Sequence, residues 1–179
     1  MLAALMLPRL LSNRPDRPVM IGGAAVLIAT LLGLAIISLI YETRWLPLLV
    51  GWFVIGIGYS VVLTPSGRLL KRSAHTEDRP AVYAAQFALS HACWLVTYPL
   101  AGWLMTFAGS ATAFGVLAVV AAVGMFGGVV LWPRGGGTEL EHTHANLPAD
   151  HPHLRDGQPH RHAIVIDDFH AHWPRVDER

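Results

Sequence analysis

Eight of the ten histidines fall in the last quarter of this 179-residue sequence, as four His-x-His pairs: His142/His144, His151/His153, His160/His162 and His170/His172. The pairs begin nine, nine and ten residues apart, a regularity that no packed core requires. Neutral imidazole is the commonest protein ligand for zinc, copper and nickel. Residues i and i+2 of an extended backbone point to one side, so each pair can present two nitrogens together. Two such pairs complete a four-coordinate site, and Asp150, Asp156, Asp167 and Asp168 stand close by as oxygen donors. The pattern predicts a tail that takes a divalent metal (Zn, Ni, Co or Cu), with no other cofactor required. The alternative is a solvated tail whose charge rises below about pH 6.5, the unperturbed histidine value.

His91 stands apart from the tail, within "YAAQFALSHACWLVTYPLAGWLMTFA". At 3.6 residues per turn it shares a helix face with Tyr98 and Gly102. An ionisable residue within an apolar span is expensive and usually faces a cavity or a partner. The stripe is therefore a candidate substrate pathway, with His91 binding solute or taking a proton near neutral pH. The plainer alternative is a neutral His91 that donates one hydrogen bond to a neighbouring helix. Tyr59 and Ser60, beside the glycines at 56 and 58, are further candidates for the pathway. Cys93, the single cysteine, excludes an intrachain disulfide and a CxxC motif. It lies on a different helix face from His91, which argues against a metal site shared by the two.

These residues are carried by four apolar runs, each long enough to cross a hydrocarbon core, which takes about 20 residues as a helix. They are 19–41, 45–65, 83–108 and 111–132. Four successive runs of this kind predict membrane helices rather than a buried soluble core. The opening "MLAALMLPRLL" lacks the charge order and cleavage site of a secretion signal and looks like the end of another helix. Gly51, Gly58 and Pro65 recur every seven residues in the second run, and Gly124 and Gly128 form a small-xxx-small pair in the fourth. With Gly102, these are read as helix-packing positions, because small residues let backbones approach closely in lipid.

Charge divides along the chain. Residues 1–133 carry eight Lys/Arg and four Asp/Glu, whereas the tail carries five Arg and eight Asp/Glu. There is no clustered basic face of the kind a nucleic-acid-binding domain shows. Arg9, Arg14 and Arg17 before the first run, and Arg68, Lys71, Arg72 and Arg79 between the second and third, fall on one side, with Arg44 on the other. Basic residues accumulate on the cytoplasmic side, so both termini are expected there, with the protein in a plasma membrane of the bacterial inner-membrane type.

The segment "GIGYSVVLTPSGRLLKRSAHTEDRPAVYAAQFALSHACWLVTYPLAGWL" resembles the tenth helix, cytoplasmic loop and eleventh helix of a major facilitator superfamily transporter. Pro99, Leu100 and Gly102 supply that family's Pro-Leu-x-Gly-like ending. "PRLLSNRPDRPVMIGGAAVL" is similar to the family's loop between helices eight and nine, a repeat of its "D-R-x-G-R-R" signature. Asp16 and Arg17 match the acidic-basic pair, while Pro18 replaces the residues that follow. The resemblance covers roughly residues 1–133, or helices nine to twelve. It implies alternating access driven by a proton or substrate gradient, with efflux of a metal ion or small organic solute. The cytoplasmic loop charges singled out are Asp16, Arg17, Arg68, Lys71, Arg72 and Arg79. The resemblance implies that Arg68, Lys71, Arg72 and Arg79, with Glu77 and Asp78, form charge pairs that hold the inward- or outward-closed state, beside their simpler use as a topology anchor.

The sequence therefore predicts an all-α integral membrane protein. Residues 1–18 would be a cytoplasmic segment, 19–133 a four-helix membrane region, and 134–179 a largely disordered tail, with "AIVIDD" (163–168) as the one stretch expected to make a short strand or dock. Four helices cannot enclose a transport route alone. The expected partners are membrane lipid, a small solute or metal ion, and further helices, either the family's first eight or another subunit. The competing reading is a small non-transporting membrane protein that senses or buffers metal or serves as a partner subunit. An enzyme is not expected, because no His-Glu-x-x-His motif or rigid scaffold holds the tail histidines.

Overall fold

The computed structural model describes residues 14–41, 44–132, 139–143, 148, 154 and 159–170. Four helices occupy most of that length: α1 (Asp16–Ile40), α2 (Trp45–Arg72), α3 (Arg79–Phe107) and α4 (Gly109–Leu131). At 1.5 Å per residue a 25-residue helix such as α1 is about 37 Å long, more than the roughly 30 Å of a hydrocarbon core. Three of the four, α1, α2 and α4, are apolar enough along their length to cross a membrane. The helix α3 is as long but less apolar, because Gln86, Ser90, His91, Thr97, Tyr98 and Thr106 interrupt its aliphatic residues.

The helix limits run past the apolar runs in one direction. The second run ends at Pro65, yet α2 continues to Arg72. Its last turn carries Lys71 and Arg72, cations that favour the negative end of the helix dipole. Likewise α1 begins at Asp16, an acidic residue at the positive end. Apolarity decides how much of a helix sits in lipid, and backbone hydrogen bonding carries the helix beyond it.

The helix α1 is the centre of the bundle, packing along both α2 and α4. Leu34, Ala35 and Phe114 form its core, with Leu31, Leu48 and Ile55 packed around them. Along α2 the buried residues are Gly51, Gly58 and Pro65, the sevenfold stripe. Gly58 faces Gly23 of α1 so closely that a Cβ on Gly23 would stand 2.9 Å from the Gly58 carbonyl oxygen. A Cβ on Gly51 would come within 2.7 Å of the Leu34 side chain. By contrast, a Cβ on Gly102, Gly124 or Gly128 would meet nothing within 4 Å among the described residues.

The helix α3 leans on α4 and touches α2 only lightly. Gly109, at φ +81°, makes the tight reversal from α3 into α4, a left-handed conformation that glycine adopts without steric cost. Leu104 is the one residue of α3 that is buried among the described residues. Large apolar side chains such as Leu131 (83% exposed) and Leu95 (77%) cover the outer faces. A contiguous surface of this kind suits lipid or further helices.

Part of the tail is ordered. Strands β1 (Glu139–His142) and β2 (His160–Ala163) pair antiparallel, with Glu139 opposite Ala163 and His142 opposite His160. The chain then runs through Ile164, Val165 and Ile166 against the end of α2, where Ile164 is fully buried and Ile166 nearly so. The docked residues belong to "AIVIDD", the tail's one apolar stretch, where docking or a short strand is expected.

Candidate functional site

On α3, the residues at positions 87, 91, 94 and 98 follow the i, i+4, i+7, i+11 spacing of one helix face. Their rings form a continuous ladder. The Phe87 and His91 centroids are 3.9 Å apart, those of His91 and Trp94 4.7 Å, and those of Trp94 and Tyr98 6.0 Å. His91 Nδ1 donates to the Phe87 carbonyl oxygen at 2.8 Å, a bond within its own helix. In the neutral ring that bond leaves Nε2 as the acceptor. His91 and Tyr98 are thus on one face, as their spacing requires, and that face is uncovered. Phe87 and Trp94 complete the ladder. Their signal was the same helical period, obscured because they read as ordinary apolar residues.

Tyr59 and Ser60 are not part of this arrangement. The Ser60 hydroxyl donates back to the Gly56 carbonyl at 2.8 Å, and Tyr59 is exposed on α2. No hydrogen bond or ring contact among the described residues joins either to His91 or Tyr98. A groove of about 400 Å³ opens between α1 and α2, lined by residues such as Thr30, Leu34, Pro47 and Val54. It is apolar and borders none of the four pathway candidates.

A polar cluster ties the helix ends together. Asp16, at 9% exposure, forms an ion pair with Arg68, and its other carboxylate oxygen is 3.5 Å from Arg72 Nη1. Arg17 reaches the far end of α4, donating from Nη2 to the Val129 carbonyl at 3.1 Å. Its Nε is buried with no hydrogen-bond partner among the described residues. The Tyr83 hydroxyl donates to the Gly67 carbonyl at 2.9 Å, and Arg79 Nε to the Ala74 carbonyl at 3.3 Å, so α3 is anchored at the same end. Of the six loop charges singled out in the sequence, Asp16, Arg17, Arg68, Arg72 and Arg79 all bond at this end of the bundle. No partner of Lys71 is among these contacts.

The tail joins the cluster through Arg72. Arg72 Nε donates to the Ile164 carbonyl at 3.3 Å, and the Ile166 N–H donates to the Arg72 carbonyl at 2.9 Å. Just beyond, Asp167 closes a turn. One carboxylate oxygen accepts the N–H groups of Phe169 at 3.0 Å and His170 at 2.9 Å, and the His170 ring Nδ1 at 2.9 Å. Burial raises the Asp167 pKa, but hydrogen bonds from the His170 ring and from the His170 and Phe169 backbone outweigh it, so the carboxyl lies below its ordinary range. The His170 ring is nearly buried and meets His162 edge-on, with centroids 5.0 Å apart.

Of the tail histidines expected to bind metal, the structure thus brings His162 and His170 together, one from each of the last two pairs. His142 and His160 face each other as strand partners in backbone register. His144, His151, His153 and His172 lie outside the described residues. Among the described residues no group of three or more His, Cys, Asp or Glu side chains is set to hold a metal ion. Cys93 is exposed on α3.

Long apolar helices, a glycine-mediated crossing and polar contacts gathered at one end define an α-helical integral membrane protein. Comparison with known protein families matches residues 1–158 to the Major Facilitator Superfamily. The chain belongs to that superfamily of membrane transporters, and the match runs beyond the four helices into the tail. No curated protein and no solved structure matches it.

Proposed function

We propose that this chain is part of a transport pathway that moves a small solute or metal ion by alternating access, with α3 facing the route. The observation that carries this reading is the uncovered ladder on α3. The helices α2 and α4 both pack on α1, while α3 leaves His91, Trp94 and Tyr98 exposed on one face. An imidazole facing lipid is expensive, so that face calls for further helices or an aqueous path. His91 Nε2 would then bind solute or exchange a proton with it, and the aromatic rings beside it would screen it from lipid. The ion-paired helix ends would lie in the cytoplasm, together with both termini. The direction we favour is efflux, with the tail as a cytoplasmic accessory that binds divalent metal.

The test is accumulation in cells of the native host, which hold whatever further helices the chain works with, compared with the same cells lacking the chain, across Ni, Co, Zn, Cu and a panel of organic cations. The chain should lower accumulation of at least one of them. The variant H91A should restore accumulation by tenfold or more while its amount in the membrane is unchanged. Equal accumulation of every solute with and without the chain would refute the transport reading.

A further inference from the structure

The residue pairs that suggested metal binding in the sequence were within pairs, two positions apart. The fold joins members of different pairs instead. His162 lies in β2, and His170 follows the Asp167 turn, so the intervening residues bring the two rings together edge-on at 5.0 Å between centroids. That distance has a specific meaning in metal chemistry. Two imidazoles on one zinc ion, with Zn–N bonds of about 2.0–2.1 Å at the tetrahedral angle, set their centroids about 5 Å apart. The backbone therefore already holds the two rings at the separation a shared ion requires.

The tautomer fits as well. His170 donates from Nδ1 to Asp167, so the neutral ring carries its lone pair on Nε2. A histidine ligand whose other nitrogen is held by a carboxylate is the usual outer-sphere arrangement of metal sites, because it fixes the ring and raises its basicity. The turn that presents His170 is itself set by the two backbone N–H groups on the same Asp167 oxygen.

We propose that His162 and His170 form a divalent transition-metal site, in which Asp167 positions the His170 ring and water completes the coordination. Imidazole with water selects ions such as Zn²⁺, Co²⁺ or Ni²⁺ over Mg²⁺ or Ca²⁺. This inference rests on the reading that the tail binds metal, and it is independent of transport. It locates the metal two to six residues from Ile164 and Ile166, the residues bonded to Arg72. A bound ion would cross-link β2 to the turn and so brace the docked segment against the end of α2.

The experiment is titration of the purified full chain in detergent micelles with Zn²⁺ alone, and with Co²⁺ for its visible ligand-field bands. The wild type should take up one tightest equivalent, with Co²⁺ bands of the intensity that low-symmetry tetrahedral coordination gives. H162A and H170A should each weaken that equivalent at least tenfold and dim the bands. The positioning variant D167N should weaken it roughly tenfold while keeping the band positions, whereas H151A/H153A should leave it unchanged. Undiminished affinity in H162A/H170A, with loss in a variant lacking all eight tail histidines, would overturn this site yet keep a metal-binding tail. No uptake by the wild type would overturn both.

Discussion

Gly58 and Gly23 meet where α1 and α2 cross, and their importance lies in what they lack. A Cβ on Gly58 would stand 3.0 Å from both the Gly23 carbonyl oxygen and Leu27 Cγ. Neither helix can yield locally, because one of the obstructing atoms is backbone. Replacing Gly58 with Val should therefore push the helices apart and cost about 1–3 kcal/mol. Gly102→Ala adds a methyl into open space and should stay within about 0.5 kcal/mol. Unfolding of the two variants in detergent, followed by circular dichroism, distinguishes them. Gly58 was legible in the sequence through its sevenfold stripe with Gly51 and Pro65. Gly23 was not, since "IGGAAVL" offers several small residues and only the crossing point selects one.

At the scale of elements, the docked segment after β2 depends on few contacts. Ile164 is its only fully buried side chain, and the Ile166 N–H on the Arg72 carbonyl is the bond that reports docking. Ile164→Ala removes most of the apolar surface that holds the segment, a loss of about 2 kcal/mol or more. Hydrogen exchange at the Ile166 amide should then accelerate about thirtyfold, since exchange follows local opening. Amides in the middle of α1 should exchange as in the wild type. Unchanged protection at Ile166 would mean that the segment is held by something other than Ile164. The sequence marked "AIVIDD" as the tail's one stretch able to dock. It could not say where, because the receiving surface is assembled from α2 and the loop after it.

The whole molecule has two unlike ends. Asp16, Arg17, Arg68, Arg72, Arg79 and the tail meet at one, whereas Arg44 lies at the other, where α2 begins. If basic residues mark the cytoplasmic side, the tail and the α2–α3 loop are inside. In a protein with Cys93 changed to Ser, a cysteine at His75 should resist a membrane-impermeant thiol reagent added to intact cells. A cysteine at Thr43 should react, and both should react after the cells are broken. Labelling at position 75 in intact cells would reverse the orientation.

The sequence by itself determined the class of protein. Apolar runs of spanning length, three of which form helices apolar enough throughout to cross a membrane, suit a bilayer, where each backbone group must bond within its own segment. It also determined which residues could do chemistry, since imidazoles, carboxylates and their spacing are properties of the chain. Tertiary structure decided which of them meet. Asp16 is 52 residues from Arg68, and Arg72 is 92 from Ile164. Helix-crossing geometry and docking, neither of which has a local periodicity to read, bring these partners together. The same holds for His162 and His170, whose proximity comes from the Asp167 turn rather than from their own pairs.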